Sequence, residues 1–225
     1  MSAVGPEFPE TRWSQLLELR DPAHPRYAEQ LDRLARDYWR PVYHYVRALR
    51  PREAAEAEDL TQQFFATLLG RGDLERLSPE RGSFRGFLKT ALRNFVSSAG
   101  RAAGARERRF PTEEAEWRES GLAPEDAFDR EWARGVLVEG VSGLRRELEE
   151  AGKGELFGLF RDVCLGDDEV SYEAAARARG ISADDVRNRL RELRQRLREI
   201  LRARLRDYLS PGEDLEAELR FILSK

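Results

Sequence analysis

Cysteine, histidine and methionine are scarce in this chain of 225 residues. It contains one cysteine, Cys164, and two histidines, His24 and His44. A lone cysteine cannot form an internal disulfide, and these three residues lack the spacing of zinc ligands. The composition therefore argues against a disulfide scaffold, predicts neither a metal site nor a cofactor, and favours a reducing compartment.

Long apolar runs and strand signals are also missing. No stretch is apolar for the eighteen or so residues that a membrane span needs, and the N-terminus lacks the segments of a secretory signal. Alternating β-branched residues and Asn-Gly or Asp-Gly turns do not occur. We therefore expect a soluble, cytoplasmic protein of the all-α class.

Enzyme motifs are lacking as well. The sequence has no glycine-rich phosphate loop and no nucleophile elbow, and its histidines lie far along the chain from Cys164. We therefore expect a protein that is not an enzyme.

The most informative segment runs from Ser182 to Leu209. Leucines and arginines recur there at three- and four-residue steps, which is typical of one amphipathic helix with a cationic face. A shorter helical run over 171–179 precedes it and ends at Gly180, and Ser182 with Asp185 has the pattern of a capping box. This arrangement predicts a helix-turn-helix and hence DNA binding.

The net charge of −3 conceals alternating blocks of charge. Residues 81–109 carry +7, residues 112–170 carry −10, and residues 171–206 carry +6. Local clusters determine the field that a phosphate experiences, so two basic surfaces are expected on either side of an acidic connector.

Helical periodicity and turn residues divide the rest of the chain. Thr11 is expected to cap an opening helix, a second helix starts at about Tyr27 with Pro41 kinking or dividing it, and Ser83 caps a fourth. The other helices are expected over residues 53–69, 124–150 and 154–165, with an amphipathic turn or two within 210–225. We expect a helical domain over 1–110, a flexible linker over 111–123, and a helix-turn-helix domain with a C-terminal extension over 124–225.

The order of these parts resembles the bacterial RNA polymerase sigma factors of the sigma-70 family, in particular the small extracytoplasmic-function (ECF) group. Three clusters carry the resemblance: EAEDLTQ at 56–62 with two phenylalanines after it, GSFRGFL at 82–88 with LRN at 92–94, and SYEAAA at 171–176 with GIS and VRNRL after it. The opening FPETRWS at 8–14 and the acidic, leucine-bearing tail are similar to a subgroup that lacks a membrane-bound anchor.

The resemblance implies that the chain binds core RNA polymerase through its acidic helix. Glu58, Asp59 and Gln62 are then the core-binding residues, because carboxylates facing a basic partner speed encounter and set register. The alternative is that the two acids are only a solvated helix face, as most such pairs are.

The resemblance also implies that the fourth helix opens the minus-ten promoter element. A melted strand needs cations along its backbone and polar groups at its base edges. The implied DNA-binding residues are Arg85, Lys89, Arg93 and Asn94. Phe84, Phe87 and Phe95 are expected to pack in the core.

The helix-turn-helix would read the minus-thirty-five element as duplex DNA. Arg187, Asn188 and Arg191 lie in the first turns of the second helix, from which base edges are usually contacted. Arg194, Arg198 and Arg202 lie farther from its start, and a solvated or phosphate-facing surface is expected for them. Glu192 departs from the pattern, because an acid there opposes DNA binding.

Three further expectations concern partners and alternatives. An anti-sigma factor or another regulator is compatible with the resemblance, as is a monomeric free state. The acidic connector is hypothesised to mask one of the basic faces, although such blocks often only keep linkers extended. Two other readings are a helix-turn-helix regulator without sigma activity, and an interaction module that has lost promoter opening.

Overall fold

The computed structural model describes most of the chain. Its ranges are residues 16–49, 54–70, 73–103, 122–166, 170–206, 208–209 and 212–224. All regular structure in them is helical, which confirms the all-α prediction. No helix in these ranges is both long enough and apolar enough to cross a membrane. The helix expected after Thr11, the FPETRWS motif and residues 111–121 of the expected linker lie outside the described residues.

The helices of the first half follow the sequence pattern closely. They are α1 (Tyr27–Leu49), α2 (Ala54–Gly70) and α3 (Phe84–Ala103), with short 3₁₀ turns at Asp73–Arg76 and Pro79–Arg81 before α3. The sequence left open whether Pro41 kinks or divides its helix, and α1 is undivided.

The helices of the second half lie close to their expected bounds, although the helix expected over 182–209 ends at Arg206. They are α4 (Pro124–Glu150), α5 (Gly154–Cys164), α6 (Tyr172–Arg179), α7 (Ala183–Arg206) and α8 (Leu215–Leu223).

The chain forms two compact units. The first comprises the described residues up to Gly135 and those of Arg206–Asp214, and the second comprises Val136–Leu205 and Leu215–Ser224. The division falls inside α4, so the first three turns of α4 pack with the first unit. The functional domain boundaries at residues 110 and 124 stay a prediction.

The core of the first unit is aromatic. Tyr38 of α1 meets Phe84 of α3 edge-on with ring centroids 5.2 Å apart, and it stacks on Phe128 of α4 at 6.5 Å. All three rings are buried. The Ser83 hydroxyl accepts a hydrogen bond from the Gly86 amide at 3.1 Å, so α3 starts at the predicted cap.

The core of the second unit depends on a close approach between α4 and α7. Gly140 of α4 faces the fully buried Leu201 of α7, and a Cβ atom on Gly140 would lie 2.5 Å from Leu201 Cδ2 and 3.2 Å from its Cγ. Even an alanine at this position would overlap Leu201, so only glycine allows the two helices to pack this closely.

Gly140→Ala and Gly135→Ala are expected to change stability in opposite directions. Gly135 lies on the same helix, is exposed, and has no atom within 4 Å of where its Cβ would be. Gly135→Ala should therefore raise the free energy of unfolding by about 0.5–1 kcal/mol through helix propensity. Gly140→Ala should lower it by about 1–3 kcal/mol, because the overlap with Leu201 outweighs that gain. Urea unfolding followed by circular dichroism measures both changes, and equal stability of the two variants would contradict the close approach.

Candidate nucleic-acid interface

The outer side of α2 presents an uncompensated acidic face. Glu58, Asp59 and Gln62 are all exposed, and no hydrogen bond or ion pair engages them within the described part of the chain. The opposite side of the helix is buried, and there the Thr61 hydroxyl donates to the Ala57 carbonyl at 2.7 Å. The three residues proposed for core binding therefore lie together on the surface and are free to meet a partner.

The cations of α3 form a line that is already occupied. Arg85, Lys89 and Arg93, spaced one helical turn apart, are called the basic stripe below. Lys89 Nζ lies 2.9 and 3.0 Å from the two carboxylate oxygens of Asp129, and Arg93 Nη2 lies 3.0 Å from Glu125 Oε1. The first three turns of α4, residues 124–135, thus lie along the stripe with acids facing bases.

Arg85, at the other end of the basic stripe, also contacts the start of α4. Its Nε lies 3.7 Å from Asp129 Oδ1, and its guanidinium carbon lies 4.3 Å from the centre of the Trp132 ring. A guanidinium over an indole is a favourable cation–π arrangement. Positions 125, 129 and 132 of α4 therefore pair in antiparallel order with positions 93, 89 and 85 of α3.

The ion pairs along the stripe are only partly shielded from solvent. The Lys89 and Asp129 side chains are each 22% exposed, and Arg93 is 58% exposed. The hydrogen bond that Arg93 donates to Glu125 raises the pKa of the Arg93 guanidinium, so this arginine stays charged. Ion pairs at such exposure contribute about 0–1 kcal/mol each.

Apolar contacts hold the start of α4 in place. Phe128 is fully buried and Trp132 nearly so, and Trp132 meets Tyr208 edge-on with ring centroids 5.8 Å apart. Burial of two such side chains contributes about 1.5–3 kcal/mol each. The packing of α4 on the first unit is therefore mainly hydrophobic, with the ion pairs setting its register.

Glu131 forms a second polar contact, with α1. Its carboxylate is buried and lies 3.2 Å from Arg40 Nε and 3.8 Å from His44 Nε2. Burial lowers the pKa of His44, although Glu131 acts in the opposite direction. His44 is therefore mostly neutral at pH 7, and Arg40 together with Arg134, whose Nη1 lies 3.8 Å from Glu131 Oε1, supplies the charge that balances Glu131.

Asn94 lies apart from the basic stripe, at the rim of a cavity. This exposed residue lines a cavity of about 230 Å³ between α2, α3 and the turn at Asp73. The other lining residues are Phe64, Thr67, Leu68, Asp73, Phe87, Thr90, Ala91 and Phe95. The structure thus brings three of the four proposed minus-ten residues together and separates Asn94 from them.

Two expected core residues form walls of this cavity. Phe87 and Phe95 are half-buried and line it, whereas Phe84 is fully in the core. Sequence reasoning missed Thr67, Asp73 and Thr90 as cavity residues. Positions 87, 90, 91 and 94 follow the spacing of a single helix face, and this signal could have identified them.

The helix-turn-helix has the predicted geometry. The Ser171 hydroxyl accepts a hydrogen bond from the Ala174 amide at 3.1 Å and caps α6, and Gly180 ends that helix with a φ of 64°. Ser182 Oγ accepts from the Asp185 amide at 3.0 Å, and Asp185 Oδ2 accepts from the Ser182 amide at 3.2 Å. This reciprocal pair confirms the capping box at the start of α7.

Two of the three residues proposed for the minus-thirty-five element are open. Asn188 and Arg191 are exposed and have no partner among the described residues, whereas Arg187 forms an ion pair with Asp184 of its own helix. Glu192 is also exposed. The three proposed residues therefore offer one amide and one unpaired guanidinium for base edges, next to the acid Glu192.

Several arginines farther along α7 hold the second unit together. Arg194 donates to Tyr172 Oη and to Cys164 Sγ, both at 3.3 Å. The other contacts are Arg196 to Glu147 at 2.8 Å, Arg202 to Glu216 at 2.7 Å and Arg204 to Glu139 at 2.6 Å. Arg194 and Arg202, expected on a solvated or phosphate-facing surface, thus have internal partners, while Arg198 is exposed and unpaired among the described residues.

The described ranges contain no group of His, Cys, Asp or Glu side chains arranged to hold a metal ion.

Comparison with protein families gives a match over the first unit. Residues 34–106 match the family model described as Sigma-70 region 2, a stretch that contains most of α1 and all of α2 and α3. The basic stripe, the cavity beside Asn94 and the acidic face of α2 all lie within it. Comparison with curated proteins and with solved structures returned no match. By this match, residues 34–106 are a region 2 of the sigma-70 type.

Proposed function

We propose that the chain binds core RNA polymerase in the bacterial cytoplasm and directs it to specific promoters, as a sigma factor of the ECF group. One observation carries this proposal: a sigma-70 region 2 and a capped helix-turn-helix occur in the same chain. The first would hold the polymerase and the melted minus-ten element, and the second would read the minus-thirty-five element as duplex. The chemistry of transcription belongs to the polymerase, so the chain itself is not an enzyme.

The acidic face of α2 supports the polymerase contact. Glu58, Asp59 and Gln62 are exposed, and no intramolecular pair has to break before a basic partner binds them. Complementary charges at such a surface raise the rate of association and define the orientation of the complex.

Replacing Asp59 and Gln62 by alanine should weaken the complex with core polymerase about tenfold, which corresponds to about 1.4 kcal/mol. Both side chains are exposed, so the fold should be unaffected. The measurement is fluorescence anisotropy of the labelled chain titrated with purified core enzyme. Gln63→Ala, at the exposed neighbouring position, is the matched control and should bind like wild type. Unchanged affinity of the double variant would overturn the assignment of this face.

The cavity beside Asn94 supports capture of a base from the melted strand. Its volume of about 230 Å³ is below the ~300–1,000 Å³ of pockets for drug-sized ligands, which suits a single flat ring. Phe64, Phe87 and Phe95 provide apolar walls, and Asn94 can both donate and accept at a base edge. Asp73 can only accept when ionised, so we propose that the captured base carries an exocyclic amine, which adenine, cytosine and guanine have and thymine lacks.

Asn94→Ala and Asp73→Asn should therefore affect promoter opening in different ways. Asn94→Ala removes a base contact and should reduce opening about tenfold, whereas Asp73→Asn adds a donor and should relax the preference for a base with an amine. Opening is measured with 2-aminopurine in the minus-ten element, in complexes reconstituted with core polymerase. Ser97→Ala on the exposed side of α3 is the control. Full opening and unchanged base preference in both variants would exclude base capture in this cavity.

The front of α7 supports duplex recognition. Arg191→Ala and Asn188→Ala should each cost about 1–3 kcal/mol of discrimination at one base pair, because a bidentate contact to that base edge is lost. Arg198→Ala removes an exposed cation farther along the helix and should weaken binding to all DNA sequences alike. The slope of log affinity against log salt should become shallower by ~0.9. Binding of reconstituted holoenzyme to promoter duplexes with single substitutions in the minus-thirty-five element tests this. Equal effects of all three variants at every position would remove α7 as the reading helix.

A helix-turn-helix regulator without sigma activity is the alternative function. Run-off transcription with purified core polymerase separates the two, because a regulator cannot start transcription on its own. Absence of a specific transcript would favour the regulator, or an interaction module that keeps the fold.

A further inference from the structure

We infer that the start of α4, residues 124–135, is an intramolecular competitor for DNA: Glu125 and Asp129 occupy the sites on the basic stripe that phosphates would otherwise fill. The inference rests on the proposed function only in taking the stripe as a nucleic-acid surface. That the sites are occupied follows from the contacts described above.

The carboxylates of α4 match what a nucleic-acid backbone offers. Glu125 and Asp129 are one helical turn apart, so their anionic oxygens are spaced about 6 Å apart along the helix axis. Lys89 contacts both oxygens of Asp129, and Arg93 contacts Glu125. A row of phosphates would use the same donors, so phosphates and these carboxylates cannot occupy the basic stripe at the same time.

The segment also covers the stripe sterically. Arg85 and Lys89 are only 19% and 22% exposed, and Trp132 lies over the Arg85 guanidinium. A DNA strand therefore reaches these two cations only when the start of α4 moves aside. Arg93 is more exposed and could be contacted first.

The contacts are weak enough for the start of α4 to cover the basic stripe reversibly, and this arrangement is called the cover below. The ion pairs are partly solvated and contribute little to stability, so other anions can readily replace the two carboxylates. The apolar contacts of Phe128 and Trp132, together with the contact between the buried Glu131 carboxylate and the exposed Arg40 guanidinium, favour the covered state. The apparent affinity for DNA is then the intrinsic affinity multiplied by the fraction of molecules in which the stripe is uncovered.

The structure assigns the contact to one part of the acidic block. The charge pattern suggested a mask by the acidic connector, whose block spans residues 112–170, without indicating which of its acids meets a base. Residues 112–121 lie outside the described part, and the acids that contact the stripe belong to α4.

Neutralising the two acids tests the cover directly. The full-length double variant Glu125→Gln and Asp129→Asn keeps the side-chain volumes and removes the competing charges. Its affinity for a fluorescein-labelled oligothymidine, measured by anisotropy, should rise about tenfold over wild type, as the uncovered fraction grows. The slope of log affinity against log salt should steepen by ~0.7 for each phosphate newly contacted.

A matched control separates the local contact from the change in net charge. Asp126→Asn with Glu150→Gln removes two charges from the same helix at exposed positions that have no partner among the described residues. This control should stay within about twofold of wild type, because simple charge repulsion is largely screened at physiological salt. Adding Lys89→Gln to the double variant should cancel its gain, because the uncovered cation is then missing.

The outcomes distinguish failure of the proposed cover from failure of the proposed sigma function. Tighter binding by Glu125→Gln and Asp129→Asn, together with unchanged control binding and unchanged circular dichroism, supports the cover. Equal affinity of wild type, double variant and control overturns the cover and leaves the sigma function intact. Failure of all of them to bind, with no run-off transcript from reconstituted polymerase, overturns both.

Discussion

The first compact unit depends on the meeting of an acidic helix start with a basic, aromatic helix. Three cations at one-turn spacing on α3 repel one another, and the carboxylates of Glu125 and Asp129 relieve that repulsion. Burial of Phe128 and Trp132 supplies most of the stabilisation, and charge complementarity selects the register. The same arrangement places the cations proposed to contact DNA under one of the chain's own helices, so on this proposal stability and nucleic-acid binding make opposing demands on the same residues.

The helices were predictable because their ends are determined locally. Ser83 and Ser182 cap by hydrogen bonds that reach three residues ahead, and Gly180 ends its helix with a left-handed backbone. Such signals are contained in a few neighbouring residues and can be read from the sequence. Pro41 was harder to interpret, because its effect depends on how far the packing around α1 outweighs the loss of one hydrogen bond.

Tertiary pairing was not predictable in the same way. Lys89 and Asp129 are forty residues apart, and the charge pattern shows that each belongs to a block without showing which partner it meets. The cavity beside Asn94 was missed for a related reason. Phe87 and Phe95 have the periodicity of core residues, and a helix face that lines a cavity has the same spacing as one that fills a core. The comparison with protein families supports the region as a whole, while the role of each side chain rests on its geometry.

The arginines of α7 illustrate how a charge count overstates a binding surface. Arg196, Arg202 and Arg204 are engaged by glutamates of α4 and α8, so they brace the second unit. These paired guanidinium groups cannot also neutralise phosphates, and each missing contact removes part of the counterion release that drives association with DNA. If α7 reads DNA as proposed, tethering would compensate for its low intrinsic affinity: once one end of the molecule is bound, the other end is held near its site at a high effective concentration.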